Sequence, residues 1–274
     1  MTAAALALDG IACTFVSKDD PSQRYTAVRD VTLTVGAGEF VSVVGPTGCG
    51  KSTLLNVAAG LLVPSTGSVR VFDEPLAGIN RRAGYMFQAE SLMPWRSALQ
   101  NVAAGLEFRG VADATAQAQQ WLKRVGLGAF GDRYPHQLSG GMRKRVSLAA
   151  ALINEPSMLL MDEPFSALDV QTRQLMENEL LALWAVDRKS VLFITHDLEE
   201  AIALADRVVV ITAGPGTVKA VFDVDLPRPR GAVQEIRFTP RFLELYQLIW
   251  ESLREEVERA YARQTVNSAN RGAA

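Results

Sequence analysis

Cysteine and histidine are scarce in this chain, with two of each among 274 residues. Cys13 and Cys49 cannot build a disulfide framework, so a reducing, cytosolic compartment is the expectation. His136 is expected to be an ordinary exposed polar residue. No apolar run approaches the roughly 20 residues needed to cross a bilayer. The N-terminus lacks a basic region followed by an apolar core, so no signal peptide is expected. Any membrane association must then go through a partner. A basic surface is also missing: 28 Lys and Arg against 30 Asp and Glu leave a net charge of −2. That balance gives no support for non-specific nucleic-acid binding. Repeats and low-complexity segments are absent. The length is enough for a full core and one to two domains.

What the chain does have is Gly45-Pro46-Thr47-Gly48-Cys49-Gly50-Lys51-Ser52. The apolar run Phe40-Val41-Ser42-Val43-Val44 precedes it and Thr53-Leu54-Leu55 follows, an order that reads strand, glycine-rich turn, helix. This is the setting a phosphate-cradling loop needs. Glycines let successive N–H groups point at one anion, and the helix N-terminus adds partial positive charge. Lys51 can reach the β- and γ-phosphates and the Ser52 hydroxyl can ligate Mg²⁺. An ordinary glycine turn is the alternative, but average residue usage produces the pattern in only about one such chain in a hundred.

Around this loop, residues 6–17 and 30–44 read as strands, with the polar hairpin loop 18–23 and a Gly-Ala-Gly turn at 36–38. The helix after Lys51 stops near Gly60, and residues 68–72 form a further strand. Tyr85-Met86-Phe87-Gln88 reads as a short strand ending in glutamine. Helical patterns follow over 97–109 and 113–125, with Asp113 as N-cap and Gly126 as C-terminal stop. Residues 89–150 look helical and interrupt the α/β rhythm as a subdomain. That rhythm resumes with strands 158–161, 191–194 and 208–211 and helices 170–186 and 197–205. Continuous apolar strands between helices imply a parallel sheet covered on both faces. Leu226-Pro227-Arg228-Pro229-Arg230 reads as an extended linker. The last helix, 240–262, carries Phe242, Leu245, Ile249, Leu253 and Val257 at helical spacing. Such a stripe serves a membrane or partner, or packs on its own domain, which is its usual meaning.

Asp162 and Glu163 end a buried apolar strand, so two adjacent carboxylates are expected to face opposite ways at its mouth. One can hold Mg²⁺ while the other addresses an attacking water; a surface acidic turn is the alternative. Leu138-Ser139-Gly140-Gly141-Met142 opens a helix with Ser139 where an N-cap belongs. Two glycines there expose the first N–H groups, giving either a second anion site or a capping turn without ligand.

Residues 45–52, Gln88, residues 138–142 and 158–163, Ser166-Ala167-Leu168-Asp169 and His196 occur in the order and spacing of ABC ATPases. About residues 6–262 resemble the nucleotide-binding subunit of an ABC importer. The narrower resemblance is to the nitrate/sulfonate/taurine import group, through Leu92-Met93-Pro94-Trp95-Arg96, residues 138–143 and 160–165, Thr195-His196-Asp197 and residues 226–230. The resemblance implies an α/β phosphate-loop NTPase fold with a mostly parallel core sheet, an N-terminal antiparallel β subdomain and an inserted α-helical subdomain. It places the ATPase domain at 6–230, with the helical part at about 89–150, and a C-terminal helical extension at 231–274 whose last residues are disordered.

ATP and Mg²⁺ are the implied ligands. Gly45, Pro46, Thr47, Gly48, Cys49, Gly50, Lys51, Ser52 and Thr53 would bind phosphates. Ser52, Gln88 and Asp162 would serve the metal, with Gln88 also positioning water; Glu163 would be the general base and His196 would contact the γ-phosphate. Ser139, Gly140 and Gly141 would address ATP held by a second copy, with Asp169 across the seam of a head-to-tail homodimer. Phe15 fits the adenine-stacking aromatic best, Tyr25 is the other candidate, and either can be core. The implied partners are two integral-membrane permease subunits at the cytoplasmic face of the inner membrane and, indirectly, an extracytoplasmic solute-binding protein. The segment around Pro94-Trp95-Arg96 is the candidate docking surface, a core role for Trp95 being the alternative.

Departures from the family pattern are Arg143-Lys144-Arg145 for the commoner Arg-Gln-Arg, no arginine in Ala149-Ala150-Ala151-Leu152, and Ala89-Glu90 after Gln88 where Asp is frequent. None removes a catalytic group. The rival reading is an ABC ATPase that remodels DNA or ribosomes, disfavoured by the lack of a long coiled coil, a second cassette or a basic tail. A kinase or GTPase leaves residues 139–141 unexplained. The resemblance favours import over export. The roughly 45 residues after Pro229 are too few for a regulatory domain.

Overall fold

The computed structural model describes residues 4–17, 20, 22–89, 91–166 and 168–271, with side chains as far as 263. Lys18, Asp19 and Pro21 of the expected hairpin loop, Glu90, Ala167 and the final residues 272–274 lie outside the described residues. The chain divides into two units, Met1–Asn80 with Ser190–Ala274, and Arg81–Lys189.

In the first unit β1 (Ala4–Val16) and β2 (Arg24–Gly36) make a long antiparallel ribbon. β4 (Thr66–Val71) and β5 (Glu74–Pro75) extend it in the order β2-β1-β4-β5. In β2 alternation sends Val31, Leu33 and Val35 inward, as a strand period of two requires, whereas β1 buries the continuous run of residues 5–8. The second sheet of this unit is built on β3 (Phe40–Val44), every residue of which is buried. It pairs in parallel with β8 (Ser190–Ile194) and with β9 (Arg207–Ile211). Apolar runs such as Val208-Val209-Val210-Ile211 suit strands covered on both faces. At the edge, β10 (Val218–Asp223) returns antiparallel to β9. This strand was not expected from the sequence, because Lys219 and Asp223 break its apolar pattern. α1 (Lys51–Ala58) follows β3, and α6 (Leu198–Leu204) follows β8.

The segment 226–230, expected to be extended, lies outside helices and strands, bends at Arg228-Pro229 and is no free linker. Arg228 bonds the Asp206 carboxylate at 2.8 Å and the Leu204 carbonyl at 2.6 Å. Arg230 donates to the carbonyls of Ile202, Ala203 and Ala205. These are the carbonyls that the end of α6 leaves without helical partners, so the two arginines cap that helix.

After α7 (Val233–Ile236), helix α8 (Pro240–Arg271) packs on α6, β9 and β10. It runs past the expected end at 262. Phe242, Leu245, Ile249 and Leu253 are buried, while Val257 is half-buried and Glu256 takes the interior position. The Glu256 carboxylate accepts from the Ala213 N–H at 2.9 Å, pairs with Lys219 at 3.0 Å and bonds Arg259 at 2.9 Å. Burial pushes this carboxyl up, but the Ala213 N–H, Lys219 and Arg259 together bring it below its usual range. Removing the carboxylate leaves the buried Ala213 N–H without its acceptor, which costs about 1–3 kcal/mol. Glu256→Ala is therefore expected to lower Tm by about 2 °C or more in a thermal melt at pH 7. A carboxyl depressed on folding stabilises above its unfolded value, and that contribution is lost as pH falls through the folded value. The Tm gap between the two proteins should accordingly shrink on acidification below about pH 4.

In the second unit β6 (Ala83–Met86) pairs in parallel with β7 (Met158–Asp162). Between them lie α2 (Ala98–Phe108), α3 (Ala114–Arg124), a single 3₁₀ turn at Pro135–Gln137 and α4 (Gly140–Leu152); α5 (Val170–Asp187) follows β7. The helices close on Val102, Leu106, Ala118, Leu122, Val146 and Ile153. Ser97 and Gln100 form a reciprocal capping box that starts α2. Asp113 occupies the N-cap position of α3 without capping it; its carboxylate accepts from Gln117 instead. The Asn101 side chain bonds Met93, Arg96 and Ser97 and so pins the loop that carries Trp95. Trp95 stands 72% exposed, which overturns the core alternative. Among the described residues no helix is long and apolar enough to cross a membrane.

Candidate functional site

The site begins where β3 ends. The chain leaves Val44 through residues 45–50 and enters α1, whose N-cap Gly50 is left-handed at φ 98° and offers no side-chain cap. A Cβ at Gly50 would overlap the Val28 methyl and stand 2.8 Å from the Ala27 carbonyl, so conformation and space both demand glycine. The first N–H groups of α1 thus belong to the loop. Lys51 is buried, and its ammonium donates to the carbonyls of Gly45 at 2.8 Å and Pro46 at 3.0 Å. Cys49 and Cys13 are both buried and neither is in a disulfide, and burial pushes the thiol of Cys13 up.

His196 belongs to the same unit. Val43 on β3 faces Ile194 on β8, so Gly45 and His196 each follow that register pair by two residues at the carboxyl ends of adjacent parallel strands. His196 is exposed, and Asp197 beyond it caps α6 through the N–H groups of Glu199 and Glu200. His136, in the other unit, is exposed and stacks on Tyr134.

Phe15 and Tyr25 are cross-strand partners on β1 and β2. Both are exposed, at 39% and 56%, so the reading of either as core is corrected. The Tyr25 hydroxyl donates to the Gly48 carbonyl at 3.2 Å, tying the aromatic pair to the phosphate loop.

In the second unit, Asp162 is the last residue of β7 and is 7% exposed. Tyr85, on the neighbouring strand, has its hydroxyl pushed well up by burial and, less, by the Asp162 charge. Glu163 lies beyond the strand at φ 42°, a left-handed conformation uncommon for such a residue. The expected placement by strand alternation is therefore replaced by a turn. Ser166 closes that turn, donating its hydroxyl to the Glu163 carbonyl at 3.0 Å. Gln88 falls past the end of β6 and is exposed, and its amide nitrogen meets the Glu163 carboxylate at 3.2 Å. The structure thus brings Gln88 and Glu163 into contact across 75 residues of chain.

Ser139 is the N-cap of α4, its hydroxyl accepting from the Met142 N–H at 3.3 Å. A methyl group on Gly141 would overlap that of Thr172 on α5, so glycine lets the two helix N-termini approach. Asp169 caps α5, and the Thr172 N–H and hydroxyl hold its carboxyl below the usual range.

Ser52, Gln88 and Asp162 offer hydroxyl, amide and carboxylate oxygens, the hard donors that suit Mg²⁺. Among the described residues no group of three His, Cys, Asp or Glu gathers as a metal cage. Magnesium is ordinarily held by one or two carboxylates together with substrate phosphates and water, and the oxygens each unit offers, Ser52 in the first and Gln88 and Asp162 in the second, are of the kind it takes.

The sequence model of the ABC transporter family matches residues 28–166. The chain belongs to that family. Among its relatives, the taurine import ATP-binding protein TauB of Chromobacterium violaceum is 43% identical over 253 residues, 90% of this chain and 97% of that one. An uncharacterized ABC transporter ATP-binding protein of Methanocaldococcus jannaschii is 45% identical over 236 residues, 85% of this chain and 86% of its own. Among solved structures, the dimeric post-hydrolysis state of the ATP-binding cassette MJ0796, bound to ADP and Pi, aligns with a TM-score of 0.72 at 31% identity. It covers 82% of this chain and 99% of the cassette. This protein is thus an ABC ATP-binding subunit whose ATP hydrolysis is coupled to transport, on the expected phosphate-loop NTPase fold.

Two contacts escaped the sequence reading. The sequence marks Tyr25 as an aromatic ring and carries no sign that its hydroxyl reaches Gly48. Lys144 departs from the family pattern, and nothing in its spacing shows that its ammonium reaches the backbone at Gln88.

Proposed function

We propose that this subunit powers uptake of a small anionic or zwitterionic solute, of the nitrate, alkanesulfonate or taurine class. The observation that carries this reading is its 42–43% identity to taurine import ATP-binding proteins over most of both chains. In the proposed cycle the loop N–H groups and Lys51 bind the ATP phosphates, with Ser52, Gln88 and Asp162 as the Mg²⁺ donors. Magnesium, when bound, neutralises charge on the β- and γ-phosphates. Glu163 takes the proton from the attacking water, Gln88 and His196 orient the reacting groups, and Phe15 stacks on adenine. Catalysis here is mostly positioning and charge stabilisation. Two copies sandwich two ATP molecules, Ser139, Gly140 and Gly141 of each addressing the γ-phosphate bound by the other, with Asp169 at the seam. The dimeric neighbour supports this arrangement.

The permease subunits dock on the helical unit. Trp95 stands out from it, and a groove of about 750 Å³ lies there, lined by Tyr85, Leu92, Met93, Asn101, Arg109 and Asn154 among others. A groove of this size, lined by both polar and apolar side chains, suits a short amphipathic helix from a membrane partner.

The test is to tag the chain, extract native membranes in mild detergent and identify what co-purifies. A multi-spanning permease with an extracytoplasmic binding protein is the expected result, and that binding protein can then be screened against nitrate, sulfonates and taurine. Recovery only with ribosomal or DNA-associated proteins would overturn the reading in favour of a remodelling ATPase. A permease without any binding protein would argue for export.

A further inference from the structure

Of the three consecutive basic residues that open α4, each goes a different way. Arg143 donates to the Leu138 carbonyl at 2.5 Å, and Arg145 turns to the Val125 carbonyl and Glu179. Lys144 alone points inward. It is only 4% exposed, and its ammonium donates to the Gln88 carbonyl at 2.9 Å and reaches the Phe87 carbonyl at 3.5 Å. An ammonium taken out of water is costly unless its donors are used, so these bonds fix where that side chain ends. Beyond the gripped backbone, the Gln88 amide meets the Glu163 carboxylate at 3.2 Å. One rigid helix therefore carries Ser139 at its N-cap and, five residues on, the cation that holds the glutamine segment.

We propose that Lys144 is a positioning residue for ATP hydrolysis: it grips the backbone at Phe87 and Gln88 and so sets where the Gln88 side chain stands against Glu163. Any displacement of α4 is thereby passed to the glutamine beside the general base. The inference rests on Gln88 and Glu163 acting in hydrolysis. A misplacement of about 1 Å costs on the order of a hundredfold in a positioned reaction, so loss of the grip shows in turnover more than in nucleotide affinity.

The experiment is steady-state Mg-ATPase of the full chain with Lys144→Met, Gln88→Ala and the double variant. Lys144→Met is expected to lower kcat by about tenfold or more with KM within about threefold. In the Gln88→Ala background the same change should alter kcat by less than about twofold, because both act through one group. Hydrogen exchange at the amides of residues 86–89 should speed up in Lys144→Met, a readout independent of catalysis. Lys144→Gln keeps a donor and serves as the second variant should the methionine form fail to fold; its smaller loss must likewise vanish in the Gln88→Ala background. Unchanged kcat in Lys144→Met, or a loss that persists undiminished in Gln88→Ala, overturns the proposal. Gln88→Ala and Glu163→Gln both turning over at the wild-type rate would instead remove the reading on which it rests.

Discussion

Glu163→Gln is expected to lower ATP turnover by about 10²–10⁴-fold while leaving MgATP affinity within a few-fold, the size of loss a positioned general base accounts for. The substitution keeps shape and removes only the proton acceptor. Glu163 is held by its backbone: φ is 42° and its carbonyl accepts both the N–H and the hydroxyl of Ser166. None of these backbone contacts involves the carboxylate, so the amide variant should fold as the parent does. It should also retain a partner in Gln88, now as an amide–amide pair. Single-turnover hydrolysis and fluorescent-nucleotide binding, measured side by side, separate the two effects. Hydrolysis near the wild-type rate would mean that another group takes the proton.

The second large effect is on binding. Lys51→Ala should weaken MgATP by about thirtyfold or more, since removing a buried, charge-assisted donor costs about 2–5 kcal/mol. Calorimetric titration reads it directly. The structure adds a complication that the experiment must separate. Lys51 also holds the loop, through the carbonyls of Gly45 and Pro46. A fall in Tm measured without nucleotide reports the loss of those bonds, whereas Kd reports the phosphate contact. Affinity within threefold of the parent would show that the N–H groups of residues 45–52 suffice without the ammonium. Turnover in this variant is uninformative at any concentration that leaves the site unfilled.

These two residues also mark how far the chain was legible. The phosphate loop is contiguous: strand, glycine turn and helix follow one another within about twenty residues, and local sterics dictate their conformation. Gly50 is legible as a turn glycine from the loop pattern alone, and the buried strands were readable because apolar runs between helices have few other places to go. The inserted helical stretch stood out for the same reason, by its period. β10 did not, because an edge strand with Lys219 and Asp223 in it lacks the pattern that marks a buried one.

What the sequence by itself determined, then, was everything carried by spacing: the loop, the acidic pair at the end of β7, the serine-glycine start of α4, and the resemblance built on their order. Only the tertiary structure decided what distant polar groups do. It joined Gln88 to Glu163, the Tyr25 hydroxyl to Gly48, and Lys144 to the backbone at Gln88. It turned a proline-arginine stretch into the cap of α6 and placed Glu256 inside, against Lys219 and Ala213. The reason is physical. Hydrophobic burial imposes a period on the chain that can be read one residue after another, whereas a hydrogen bond needs one donor and one acceptor at about 3 Å, wherever in the chain they come from.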